Sequence, residues 1–310
     1  MPTRLLPPGI EVFERGWLSA NNIFHFGSEE FSDVSLVDSG YCAHENLTID
    51  LVRNALNKNS LSRLDKVVNT HLHSDHCGGN SALSKVFDCE ILIPVAEEKA
   101  VSNWNEDLLS YQNLGQECPR FTHDGLLIPG REILLGRYVW QIMAAPGHDH
   151  HSVMLYQPDH RILISADALW EEGFGVIFPE LWGDPGFEEV AQTLDLIEAL
   201  PVSLVIPGHG KPFLDAAKSI ATARSRLDYL ASDPDRNARH GAKVLLKYKL
   251  LEWRIKGLDE VNHWIASTPA LKSAAKQLNM DLEDFIKWLP QALVKSGAAK
   301  LEDQKLIDLA

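Results

Sequence analysis

The amino-acid sequence predicts an α/β protein, a sheet packed with helices, followed by a mostly helical tail. Three observations predict it. Short β-rich runs alternate with helical patterns over the first 215 residues. Several of those runs end on a histidine or an aspartate. From about Leu214 the β-rich runs stop and helical periodicity takes over.

The β-rich runs are SDVSLVDSG (32–40), LDKVVNTH (64–71), CEILIPV (89–95), EILLGRYVWQIMAAPGH (132–148), RILISAD (161–167) and VSLVIPGHG (202–210). Each reads as one buried strand running into a turn. Helical patterns cover 52–61, 80–87 and 187–200. In the tail they cover 215–232, 238–256, 258–267, 271–279 and 282–297. The closing stretch, 298–310, reads as a short hairpin or a frayed end. Asp233-Pro234-Asp235 reads as a hinge, which divides the chain into units 1–235 and 236–310.

Composition narrows the function classes. Hydrophobic residues are 45% and charged residues 23% of the 310, an ordinary globular balance. No apolar run approaches the roughly 20 residues a membrane span needs. The opening MPTRLLPPGIEVFERG has no sustained apolar core, so a cytoplasmic protein is expected. Cys42, Cys77, Cys89 and Cys118 lack CxxC spacing and are expected to be reduced. Net charge is −14, unevenly spread: residues 216–310 hold 16 Lys and Arg against 12 Asp and Glu, leaving −18 on residues 1–215. A polyanion would meet a repulsive average field in that first part, although a bound metal reverses the field locally.

The chemistry lies at the ends of the β-rich runs. THLHSDHCGGN packs three histidines and an aspartate into 71–76, although the whole chain has only 13 histidines. KVVNT runs into His71, QIMAAPG into His148, RILISA into Asp167 and SLVIPG into His209; SLV runs similarly into Asp38. A lone strand-end histidine is usually structural. Four runs that each deliver a metal-competent group point instead to one shared cleft. His71 and His73, two apart, share one side of an extended chain. Asp75 and His76 fold back after it, and Gly78-Gly79 are expected to permit a tight turn into the helix at Asn80. Imidazole with carboxylate suits zinc, iron or manganese. The seven donors His71, His73, Asp75, His76, His148, Asp167 and His209 are too many for one tetrahedral ion. They suit two ions if one carboxylate bridges.

HLHSDH, followed by APGH, ISAD and IPGHG in this order, resembles the HxHxDH pattern of the metallo-β-lactamase superfamily over roughly residues 20–215. The resemblance implies an αβ/βα sandwich with a binuclear site at one sheet edge and a hydrolytic activity. It implies that His71, His73 and His148 hold one ion and Asp75, His76 and His209 the other, with Asp167 between them. Asp38 would orient the ligand loop by hydrogen bonds. The cofactors are expected to be two divalent ions, zinc foremost, holding a hydroxide for attack on an ester, thioester, lactone, amide or phosphoester. Asp75 is the expected proton shuttle, against the plainer reading of a ligand only.

Retention of His76, and Asp167 where many lactamases place a cysteine, argues against a dedicated β-lactamase. The pattern is most similar to glyoxalase-II-like thioester hydrolases, although the tail departs from their glutathione-binding tail. GLDEVNHWI and ALKSAAKQLNMDLEDFIKWLPQALVKSGAAKLEDQ resemble a winged-helix tail. A small thioester or ester is therefore the expected substrate. Its apolar part is expected against Trp170, Phe174 and Phe178, and Trp104, Tyr111 and Trp182 are weaker candidates for the same wall. The rival is an endoribonuclease or phosphodiesterase with the same centre, holding RNA on the seven Lys and Arg of 236–256; the plainer reading of that stretch is a solvated helix face. A non-enzymatic binding module normally lacks ligands, and none is missing here. His123, His150 and His151 read as loop residues near the cleft, Cys77 as packing, and the apolar stripe of 243–256 as a core or dimer face.

Overall fold

The structure is a computed structural model that describes residues 6–27 and 33–309. Residues 1–5 of the opening stretch, Ser32 at the head of SDVSLVDSG and the final Ala310 lie outside them. Two mixed sheets form the body. The first contains β1 (Ile10–Phe13), β2 (Asn22–Phe26), β3 (Val34–Val37), β4 (Lys66–Val68), β5 (Glu90–Pro94) and β6 (Gly125–Leu127), in that spatial order. Strands β3 to β6 are parallel; β1 to β3 are antiparallel. The second contains β7 (Glu132–Leu135), β8 (Tyr138–Ala144), β9 (Val153–Gln157), β10 (Ile162–Ala166) and β11 (Leu204–Pro207), ordered β11-β10-β9-β8-β7. Only β10 and β11 run parallel there.

Alternation with period two explains why the sheets stack. Val37, Val68, Val153, Leu155, Ile162 and Ile164 face a shared core between the sheets, around a fully buried Trp140. Their neighbours Leu36, Val67 and Ile91 face helices Glu45–Lys58 and Asn80–Phe87 on one outer side. Met154, Leu163 and Val205 face helices Phe187–Glu198 and Ala216–Ala231 on the other. The result is the expected αβ/βα layering.

The tail contains helices Pro234–Trp253, Leu258–Ser267, Pro269–Gln277 and Leu282–Lys295. A small antiparallel sheet of β12 (Ile255–Gly257), β13 (Ala299–Glu302) and β14 (Lys305–Asp308), in the order β12-β14-β13, completes it, so the closing stretch is a hairpin. One apolar cluster joins Leu245, Leu246, Ile265, Leu271, Phe285 and Leu289 of the tail to Val176, Phe178 and Leu181 of the body. Ser273 donates to the Leu181 carbonyl, and Asn237 to that of Ile177 at 3.0 Å. The tail is thus packed on the segment that follows β10.

One expectation needs correction, and a second holds for another reason. The run 132–148 is two strands, β7 and β8, turned at Gly136 with φ +60°, because apolar residues flank the turn on both sides and hide it. Gly78 and Gly79 form the expected turn into the helix at Asn80, but not with left-handed backbone: their φ values are −60° and −83°. They are glycines because the backbone passes too close for a side chain. A Cβ on Gly79 would sit 2.4 Å from the Ser39 carbonyl oxygen, and one on Gly78 2.5 Å from that of Ser74. This contact locks the histidine loop onto the end of β3. Gly79→Ala is expected to cost about 2–3 kcal/mol of unfolding free energy, since backbone on the facing side cannot swing away. Urea denaturation checks it; an unchanged midpoint would refute the close-approach account.

Candidate metal centre

Five strand ends meet at one edge of the body. Asp38 follows β3, His71 to His76 follow β4, His148 follows β8, Asp167 follows β10 and His209 follows β11. Asp75 and His76 ride on a single helical turn, Ser74–Cys77. All seven sequence-predicted donors come together, in overlapping groups whose ligand atoms lie within 4.8 Å of one another. His71, His73 and His148 form one group, and Asp75, His76 and His209 another. Asp167 lies between them: Oδ2 is 3.4 Å from His148 Nε2 and Oδ1 3.4 Å from His76 Nε2. Gly208 leaves room for it, since a Cβ there would fall 2.2 Å from Asp167 Oδ1.

Hydrogen bonds behind the donors aim them. Asp38, held at φ +57°, accepts from Thr70 N and Thr70 Oγ1, each at 2.9 Å. Its Oδ2 is also 2.8 Å from His76 Nδ1. A proton on Nδ1 shared there makes Nε2 the nitrogen that an ion would take, in exchange for any proton it carries. That Nε2 is buried and has no hydrogen-bond partner among the described residues. His148 Nδ1 donates to the Val176 carbonyl, so its Nε2 presents a lone pair, 2.8 Å from His73 Nδ1. His71 Nε2 lies 3.1 Å from the same His73 nitrogen.

The electrostatics fit cations. Burial, then the neighbouring imidazoles His76, His73 and His148, pushes His71 well below the usual histidine range. Burial, then His73, takes His148 down to about 4. These two rings are therefore neutral at pH 7, and their Nε2 atoms converge on His73 Nδ1. An ion among these three nitrogens would take a lone pair from each ring. On the other side burial disfavours charge on His76, yet Asp38, Asp167 and Asp75 together outweigh it and raise its pKa well above normal. Burial also works against the Asp167 carboxylate, but His76 and His209 hold it well below the usual range. The donor set thus fits two divalent ions, one in each group.

The centre opens into a cavity of about 440 Å³. Trp170 and Phe178 line it, as expected. Phe178 packs edge-on to His73 with ring centroids 5.3 Å apart. Phe174 does not line it: the ring is buried in the second sheet's outer core, beneath the Arg226 guanidinium. Trp104 and Tyr111 pack with Phe121 in the opposite layer, and Trp182 is partly exposed outside the cavity. His150 and His151 pair with Glu189 and Glu97 at 2.6 and 2.7 Å, and His123 lies in a loop. Cys77 is buried beside Tyr111 and Cys118 and offers nothing to the donors. Sequence reasoning missed Trp17, which stacks on His209 at 5.4 Å, and the cavity face of helix Pro234–Trp253. Trp17 sits in a loop without periodicity and gave no signal. The helix did: His240, Lys243, Val244, Lys247, Tyr248 and Leu251 form one i, i+3, i+4 stripe, whose apolar members read from sequence as a core or partner face and whose lysines read as a solvated one.

Residues 32–209 match the Metallo-beta-lactamase superfamily. A probable metallo-hydrolase of Methanocaldococcus jannaschii is 25% identical over 53% of this chain and 78% of its own. A hydroxyacylglutathione hydrolase of Bdellovibrio bacteriovorus is 26% identical over 46% of this chain and 47% of its own. The matches to such hydrolases span about half of those proteins' length. Among solved structures, a metallo-beta-lactamase family protein from Thermus thermophilus has a TM-score of 0.57 and 17% identity, over 98% of this chain and 99% of that one. A beta-lactamase domain protein from Burkholderia ambifaria has a TM-score of 0.58 and 19% identity, over 98% and 92%. These two share the fold through the tail as well as the body. The chain belongs to the metallo-beta-lactamase superfamily, and its histidine and aspartate clusters are those of a metal-dependent hydrolase.

Proposed function

We propose that the chain is a binuclear metal-dependent hydrolase that cleaves a small thioester or ester. The observation that carries this reading is the juxtaposition of the two donor groups, spanned by Asp167, with a largely apolar cavity. Two divalent ions, zinc in the first instance, would supply an acidified water near neutral pH and a Lewis acid for the acyl oxygen. Iron and manganese accept the same donors. One fold neighbour is described in a di-iron-bound form. The relatives named for hydroxyacylglutathione hydrolysis support a thioester, because an acyl-glutathione is one.

The chain's own residues do the rest. Asp38 fixes the tautomer of His76, and the Val176 carbonyl fixes that of His148. Asp75 lines the cavity with Oδ2 3.1 Å from His209 Nε2, and its carboxylate is placed to receive the proton of the attacking water. Trp170 donates to Asp167 Oδ1 at 3.2 Å and with Trp17 roofs the His209 side. The apolar side chains of Val176, Phe178, Val244 and Leu251 keep water from the acyl part. The tail's three final helices and hairpin are read as a winged-helix-like unit that holds the cavity wall in place.

A nuclease reading draws no support from the basic helix. Of its seven Lys and Arg, six lie within 4.0 Å of a carboxylate: Arg236, Arg239, Lys247, Lys249, Arg254 and Lys256. They do not form an unpaired stripe for phosphates.

Two outcomes test the proposal. Metal-loaded protein is expected to hydrolyse members of a panel of acyl thioesters, with kcat falling about 10²–10⁴-fold in Asp75→Ala. No turnover across the panel would end the thioester reading. Asp38→Asn keeps the shape but loses the carboxylate. It is expected to weaken binding at the His76 position about 10–100-fold, read by competition with a chelating dye. Unchanged affinity would show that Asp38 does not orient the ligand loop.

A further inference from the structure

Lys243 is the one basic residue of helix Pro234–Trp253 and its C-terminal extension to Lys256 that has neither an ion-pair nor a hydrogen-bond partner among the described residues. It is half-buried and lines the cavity. Arg226, from helix Ala216–Ala231, lines the same cavity, also half-buried and with no carboxylate within ion-pair distance among the described residues. Its guanidinium instead donates to His240 Nε2 at 2.8 Å and lies 5.0 Å over the Phe174 ring. Lys247, on the same helix face, is already occupied: it donates to the carbonyls of Ala298 and Leu309 at 2.9 and 2.8 Å and pairs with Asp308.

An unpaired cation taken partly out of water is unfavourable, and a cation–π contact returns only part of the loss. The cost falls when an anion arrives. Here two such cations share one cavity wall, in a chain whose net charge is −14. The protonation state of His240 agrees with that field: burial, then Arg226 and Lys243, lowers its pKa to about 4, so the ring adds no charge and serves as an acceptor for Arg226.

The position along the helix separates these cations from the metal donors. Tyr248 marks the end near the metal loop, with its hydroxyl 3.4 Å from both Ser74 Oγ and the Leu18 carbonyl. Lys243 lies about 7.5 Å and His240 about 12 Å further along the axis, at roughly 1.5 Å per residue. Apolar Val244 lies beside them on the same face.

We propose that Arg226 and Lys243 form an anion-binding end of the cavity, so that the substrate is a thioester or ester whose apolar body terminates in a carboxylate or a phosphate. The inference rests on this cavity being the substrate site of the proposed hydrolase. It names the class of substrate: an acyl compound charged at the end remote from the reacting carbonyl.

The test uses metal-loaded protein and a length series of dicarboxylic acids, each compared with the monocarboxylic acid of equal chain length, by calorimetry. One carboxylate serves the metal end in both, so the affinity ratio reports the second end alone. At a best length the dicarboxylate is expected to bind about tenfold tighter or more. Arg226→Met and Lys243→Met are each expected to bring the ratio toward one, while Lys243→Arg keeps it. A parallel series ending in phosphonate decides between the sources: the end group with the larger ratio is the one the site is built for. Ratios near one at every length with both end groups would overturn the proposal, as would ratios undiminished in both Met variants. Binding needs no turnover. If the ratio is present and no thioester is hydrolysed, the thioester reading falls while the anion site stands; if thioesters are hydrolysed and the ratio is absent, the anion site falls alone.

Discussion

Buried imidazoles and carboxylates crowded into one strand-end cluster are the constraint on which this molecule turns. His71 Nε2 and His148 Nε2 lie 3.1 and 2.8 Å from His73 Nδ1, and His76 Nε2 faces Asp167 at 3.4 Å. Such an arrangement is costly in a bare protein and favourable around cations. Everything nearby holds it in that state. Asp38 and the Val176 carbonyl set the tautomers, and the absent side chains of Gly79 and Gly208 let backbone and carboxylate approach. The strained φ of Asp38 and of Ala166 (+47°), immediately before Asp167, places backbone strain at the two strand ends that present carboxylates.

The second determinant is the tail. The first 215 residues could present the donors, but they do not close the cavity. Helix Pro234–Trp253 does, with one face in the tail's own core and another toward the metal loop. Tyr248 reaches Ser74, and Tyr41 donates to Glu252 at 2.8 Å, so the wall is fastened to the loops around the donors. A tail fastened in this way sets the shape and charge of the cavity, and with them the selection of substrate.

The centre was legible because its residues are short-range and chemically unmistakable: HLHSDH within six positions, then histidine or aspartate after several of the apolar runs. The layered fold was legible in the buried runs, since strands such as β4, β10 and β11 are nearly all apolar. What could not be read depended on contacts distant in sequence. Strand β1 lies at the sheet edge, and its neighbour β2 carries the polar Asn22 and His25 in an otherwise apolar run. The β7–β8 turn is hidden between apolar flanks. Gly78-Gly79 looked like a turn signal, yet the reason for both is the neighbouring backbone, which no local pattern reports. Phe174 had the spacing of a cavity residue but faces the core. Trp17 and Arg226 enter the cavity only because the fold carries them there from loops and helices far from the motif.

The central claim is that the two donor groups hold two ions at once. Calorimetric titration of metal-stripped protein with zinc tests it most directly, with Asp167→Ala alongside. The account predicts two equivalents bound per chain in the wild type, and weakened binding at both positions in the variant, because Asp167 touches both groups. One equivalent or none in the wild type, or two undisturbed equivalents in Asp167→Ala, would contradict it.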